Sequence, residues 1–187
     1  YNLIVNKAGG TLSSRIWTVT NDFELMLGSF APNDGSSFFN VKITDGTFTA
    51  PSGNINVLGN WTRYGGIFVH GIGKVTFNNA SADQSINGSQ NAQDFYNLTL
   101  IKGSKKLNFS GSISLVAVRN VLTMNSGNID LGMTGVLELG ASPSSAGTLN
   151  YTSGTVINGT SGGFKRWIAG SSEPGIDFPV GTSLNTY

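Results

Sequence analysis

The sequence predicts an all-β fold, and within that class a parallel β-helix wound from short repeated coils. Three observations lead there. Apolar side chains recur two residues apart in one short segment after another, Gly-, Asn- and Ser-rich turn signals separate those segments, and blocks of sequence return along the chain. Side chains two apart share one face of a strand, so each segment has one face to bury and one polar face to show to water.

In chain order the alternating segments are Leu3/Val5, Phe23/Leu25/Leu27, Val41/Ile43, Ile55/Val57, Ile67/Val69 and Val75/Phe77. They continue as Leu98/Leu100, Ile113/Leu115, Leu122/Met124, Ile129/Leu131, Leu137/Leu139 and Leu149/Tyr151. Turns are expected at Asp45-Gly46, Gly65-Gly66, Asn87-Gly88, Ser126-Gly127, Ser153-Gly154 and Asn158-Gly159, because Gly and Asn tolerate the left-handed backbone that tight turns need. Helix is disfavoured throughout: Gly, Ser, Asn and Thr supply about 45% of the 187 residues, and charged residues only 11%. Disorder is disfavoured too, since Leu, Ile, Val and Phe make up about 27% and the net charge is +1.

The repeats decide between the two architectures that suit many short strands. Tyr1-Asn2-Leu3-Ile4-Val5-Asn6-Lys7 returns as Tyr96-Asn97-Leu98-Thr99-Leu100-Ile101-Lys102, with Leu12 matching Leu107 and Ile16–Val19 matching Ile113–Val116. Ser52-Gly53-Asn54-Ile55-Asn56-Val57-Leu58-Gly59 returns as Ser126-Gly127-Asn128-Ile129-Asp130-Leu131-Gly132. An antiparallel β-sandwich, the alternative, has no need of recurring blocks. Stacked coils do, because each presents nearly the same environment to the chain. The coils are expected over residues 1–161. Residues 162–187 change character, with the basic aromatic strand Phe164-Lys165-Arg166-Trp167 and then Pro174 and Pro179, and read as a terminal coil or the start of a following module.

The composition removes several functions. Eleven basic against ten acidic residues leave no electrostatic footprint for nucleic acid. No apolar run reaches the roughly 18 residues that a membrane-spanning helix needs. Cysteine is absent, which excludes disulfides and thiolate metal sites. His70 is the one histidine, so a metal site built from several His or Cys has no ligands; it is read as a solvated, outward-facing strand residue. Neither a metal nor a cofactor is expected. Gly159-Thr160-Ser161-Gly162-Gly163 matches the Gly-x-Ser-x-Gly pattern formally, but such an elbow needs a following helix and a downstream His. The ten carboxylates, Asp22, Glu24, Asp130 and Glu138 among them, are scattered, so a polysaccharide lyase or hydrolase, although many β-helices are such enzymes, is the third-ranked reading. Ranked above it is a carbohydrate-binding module using Trp61, Arg63, Tyr64 and His70, clustered around Gly65-Gly66, with Trp17 and Trp167 as further aromatic faces. Sugars present apolar C–H faces to aromatic rings and hydroxyls to polar neighbours. Seven Asn-x-Ser/Thr triplets, at Asn60, Asn79, Asn87, Asn97, Asn108, Asn150 and Asn158, match the glycan acceptor pattern, which an Asn/Ser/Thr-rich chain also generates by chance.

The cadence YNLTLIKG…SISLVAVRNVLTMNSGNIDLGMTGVLELG, closing with GFKRWIAGSSEPGIDFPVGTSLNTY, resembles the β-helical repeat regions of very large secreted and cell-surface proteins of Bacteroidetes-type bacteria. The coil is expected to be right-handed, and the resemblance implies a structural, non-enzymatic stalk or passenger segment of an adhesin-like protein. It further implies export by the type IX route, an extracellular or cell-surface location, and a piece of a longer polypeptide; because open end coils are aggregation-prone edges, neighbouring domains are expected to cap both ends. Partners would be those flanking domains, with glycans or surface components beyond them.

Overall fold

The computed structural model describes residues 1–13, 15–170 and 176–181, and these form a β-solenoid of about 8 turns with no helix among the described residues. Pro174 and the final 182–187 segment lie outside the described residues. The strands are β1 (Leu3–Ser13), β2 (Thr18–Ala31), β3 (Ser37–Ile43), β4 (Thr47–Thr49), β5 (Asn54–Val57), β6 (Trp61–Arg63), β7 (Ile67–Val69) and β8 (Lys74–Phe77). They continue with β9 (Gln84–Gly88), β10 (Ala92–Phe109), β11 (Leu115–Asp130), β12 (Val136–Leu139), β13 (Thr148–Tyr151), β14 (Val156–Ile157), β15 (Gly163–Arg166) and β16 (Val180–Gly181). Every pairing between them is parallel, which excludes the antiparallel sandwich.

The registers resolve into three faces, each with its own file of inward side chains. Face one stacks Leu3 on Phe23, Val41, Trp61, Ile86 and Phe109, beside a second file of Gln84, Leu107, Ile129, Val156 and Val180. Face two stacks Leu12 on Phe30, Phe48 and Phe68, and then, beyond a break, Phe95 on Val118 and Leu139. Face three runs Val19, Phe38, Val57, Phe77, Leu100, Met124 and Tyr151. Most of these side chains are wholly removed from water, and at about 25 cal/mol per Å² of apolar surface that burial is the main stabilising term. The ladder continues past residue 161: β15 pairs with β12, and β16 with β14, so Gly163–Arg166 and Val180–Gly181 add to the same coil.

The sequence echoes have an unexpected geometry. Leu3, Leu12 and Val19 point inward on faces one, two and three, whereas their counterparts Leu98, Leu107 and Val116 do so on faces three, one and two. Ile55 on face three and its counterpart Ile129 on face one are also displaced by one face, in the opposite sense. What repeats is therefore a strand and its corner rather than a whole coil, because all three faces offer an inward side chain the same apolar surroundings.

Two segments alternate in the opposite phase to that expected. Ile67 and Val69 point outward, 59% and 41% exposed, and Phe68 takes the core position between them. In the next coil but one, Val116 and Val118 are buried in place of Leu115. Corners and outer faces are joined from coil to coil by side-chain amides. Asn40 Nδ2 donates to Asp22 Oδ1 at 2.8 Å, Asn60 N to Asn40 Oδ1 at 2.8 Å, and Ser85 N to Asn60 Oδ1 at 2.8 Å. The Asn60, Asn79, Asn97 and Asn108 side chains are engaged in such bonds, Asn87 Nδ2 donates to Ser85 Oγ on its own strand, and Asn150 is exposed. Gly88 shows why the corners need glycine: its φ is +134°, and a Cβ there would lie 2.0 Å from the Arg63 carbonyl oxygen of the coil before.

Candidate functional site: a break in the ladder on face two

Faces one and three are continuous among the described residues, but on face two no backbone pairing joins β7 to the Ala92–Phe95 part of β10. The cause is a difference in length. Register is held on one side by Arg63 against Gly88 and on the other by Lys74 against Asn97. Between those anchors the earlier coil has ten residues, 64–73, and the later one eight, 89–96. Two surplus residues, taken up around His70-Gly71-Ile72-Gly73, prevent the strands from matching.

Parallel strands direct both backbone groups of alternate residues to the same neighbour. Ile67 N donates to Gly46 O at 2.8 Å and Ala50 N to Val69 O at 2.9 Å, so Ile67 and Val69 serve the preceding coil and Phe68 turns its main chain to the seam. Side chains stitch the opening. The Arg63 guanidinium donates to Gly66 O on its own coil and through Nη2 to Ala92 O on the next. Gln93, 1% exposed, accepts from Trp61 Nε1 at 3.1 Å and donates to Asp94 O at 3.0 Å. Beneath lies an aromatic floor in which the Trp61 ring meets Phe68 at 4.7 Å, Phe95 at 5.5 Å and Phe48 at 5.9 Å. Arg63, Phe68, Ala92, Gln93 and Asp94 line the small open slot that remains.

The four residues singled out for sugar binding thus gather at this seam, but in different roles. Trp61 is fully buried and has no face to offer a sugar; its spacing fits a stacking residue, and the register places it in the core file instead. Arg63 is half-buried inside the slot, where burial pulls its pKa down and the charge of Asp94 partly offsets the shift. Tyr64 stands at one corner, 49% exposed, with Lys42 Nζ 5.7 Å from its ring. His70 stands at the other, half-buried rather than freely solvated, its ring stacked 6.0 Å from that of Tyr96. Trp17 packs on the end of the core, 6.0 Å from Phe30, and Trp167 is half-buried.

Several residues here carry no signal in the sequence. Asp94 pairs with Arg119 at 2.8 Å, and Arg119 reaches Glu138 at 3.7 Å. Glu138 also receives Trp167 Nε1 at 2.8 Å and Lys165 at 3.2 Å. Burial raises the Glu138 pKa, but those hydrogen bonds and the neighbouring cations outweigh it and leave the group below its ordinary value. Away from the seam, Lys102 is wholly buried at the corner between faces three and one. Its Nζ donates to Asn79 O, Ala82 O and Gln84 Oε1 at 3.0, 3.1 and 2.7 Å, and burial pushes its pKa down to about 8. Ser161 sits in a corner followed by a strand, Gly163–Arg166, and not by the helix a nucleophile elbow requires. Asp22 and Glu24 lie side by side on outer face one, where Glu24 is paired with Lys42 at 2.9 Å, and Asp130 is paired with Lys106 at 2.9 Å.

No protein-family model, curated protein or solved structure matches the chain.

Proposed function

We propose that the chain is a structural rod segment, a stalk or passenger of a large secreted or cell-surface adhesin-like protein, which holds other modules at a distance. The observation that carries this reading is axial continuity. Inward files of apolar side chains run through successive coils on faces one and three, and on face two to either side of the seam, and amide and ion-pair bonds outside repeat the same coil-to-coil linkage. Force along the axis is therefore shared between backbone ladders, core stacking and surface bonds. The cadence of the sequence supports an origin in Bacteroidetes-type surface proteins exported by the type IX route.

The test is protease treatment of intact source cells followed by immunodetection of this segment. A surface stalk is removed by the protease or found in the culture medium. Recovery only from the cytosol of lysed cells would overturn the reading.

A further inference from the structure

Beyond the stalk role, we propose that the seam on face two is a binding slot for an acidic glycan, with Arg63 receiving the carboxylate of a uronic acid unit. Arg63 enters none of the ion pairs formed among the described residues, and Asp94, the one acid lining the slot, is engaged by Arg119 at 2.8 Å. Its Nε is buried without an acceptor. Asp94 offsets its charge only in part, and Nη1 and Nη2 each donate to a single carbonyl, so donors remain on both for a carboxylate, whose two oxygens match the fork of a guanidinium.

The surroundings select a sugar rather than a wholly apolar acid. On one side the lip is apolar and exposed: Tyr64, Ile67 and Val69 at 49, 59 and 41%. A pyranose C–H face can lie there. On the other side stand groups suited to hydroxyls, the Asp94 carboxylate with 42% of its side chain exposed and the corner residues Gln90 and Asn91. The slot is partly open to solvent, so one unit of a sugar chain can anchor at Arg63 while its neighbours stay outside.

Calorimetric titration of the whole chain with tri-galacturonate, its methyl ester, a neutral trisaccharide, acetate and a peptide ending in a free carboxylate tests this. The tri-galacturonate should bind at least about tenfold more tightly than its ester, since a hydrogen bond to a charged group contributes roughly 1.5–3 kcal/mol. Arg63→Gln should abolish that preference, and Arg63→Lys should restore only part of it, because a lysine keeps the charge and loses the fork. Tyr64→Ala, at an exposed position, should weaken binding several-fold and leave the circular dichroism spectrum unchanged, so a fold defect in the Arg63 variants does not decide the result. Equal binding of acid and ester, no binding of the acid, tighter binding of the peptide, or binding indifferent to both Tyr64→Ala and Arg63→Gln would each overturn the proposal.

Discussion

Truncating Trp61 to alanine separates a core role from a surface role more sharply than any other single change. The ring is fully buried, contacts Phe48, Phe68 and Phe95, and satisfies the carbonyl of a buried glutamine. Removing a buried tryptophan ring costs about 3–5 kcal/mol. The Gln93 Oε1 left without a donor adds about 1–3 kcal/mol. A loss of roughly 4–8 kcal/mol is comparable to the whole stability of many domains. Trp61→Phe keeps most ring contacts and removes the indole N–H, so its cost should fall near about 1–3 kcal/mol. A double-mutant cycle with Gln93→Leu should show coupling of about 0.5–3 kcal/mol. The assay is urea unfolding followed by far-ultraviolet circular dichroism. If Trp61→Ala unfolds within about 0.5 kcal/mol of the parent, as exposed substitutions do, the ring does not belong to the core and the reasoning fails.

Three further outcomes follow from other parts of the molecule. Lys102 has a folded pKa of about 8 against an ordinary 10.5, so the cost of its buried charge is fully present below pH 8 and is relieved between these values. The stability of the parent relative to Lys102→Met should rise by up to about 3 kcal/mol from pH 8 to pH 10.5, and a flat difference would contradict this. Glu138 is shifted the other way: its contribution is present above the ordinary carboxylate value and lost as pH falls through its lowered folded pKa. Glu138→Gln should therefore cost about 1 kcal/mol at pH 7 and progressively less as the pH falls below the ordinary carboxylate range, and a gap that does not shrink in acid would count against the ion pairs. At the seam, the Phe68, Ala92 and Asp94 amides should exchange with solvent at least about tenfold faster than those of the continuous file around Leu98 and Leu122, whereas uniform protection would mean the ladder is unbroken.

The coil was legible in the sequence wherever two apolar residues alternate with short polar ones, as at Ile55/Val57 or Leu122/Met124, because burial there follows directly from the period of two. It misled at Ile67-Phe68-Val69, where three apolar residues in a row leave both phases open and only packing against Phe48, Trp61 and Phe95 selects Phe68. Trp61 failed as a surface residue for a related reason: its orientation is set by stacking on Val41 and Ile86, each about twenty residues or more away. The seam needs the comparison of two loop lengths between registers that only the assembled coils define. The Arg119–Glu138–Lys165 chain brings together three coils and shows no local spacing at all.

The most direct test of the stacked coil is a set of paired cysteines, since the natural chain has none. Neighbouring parallel strands lie about 4.8 Å apart, within the Cα separation a disulfide can span. Lys42→Cys with Thr62→Cys on face one, Leu115→Cys with Val136→Cys on face two, and Thr99→Cys with Thr123→Cys on face three are each in register between adjacent coils. All three pairs should close under mild oxidation. Lys42→Cys with Thr49→Cys, which a hairpin at Asp45-Gly46 would bring face to face, should stay reduced; if that pair closes and the three registered pairs do not, the strands are antiparallel and the coil is wrong.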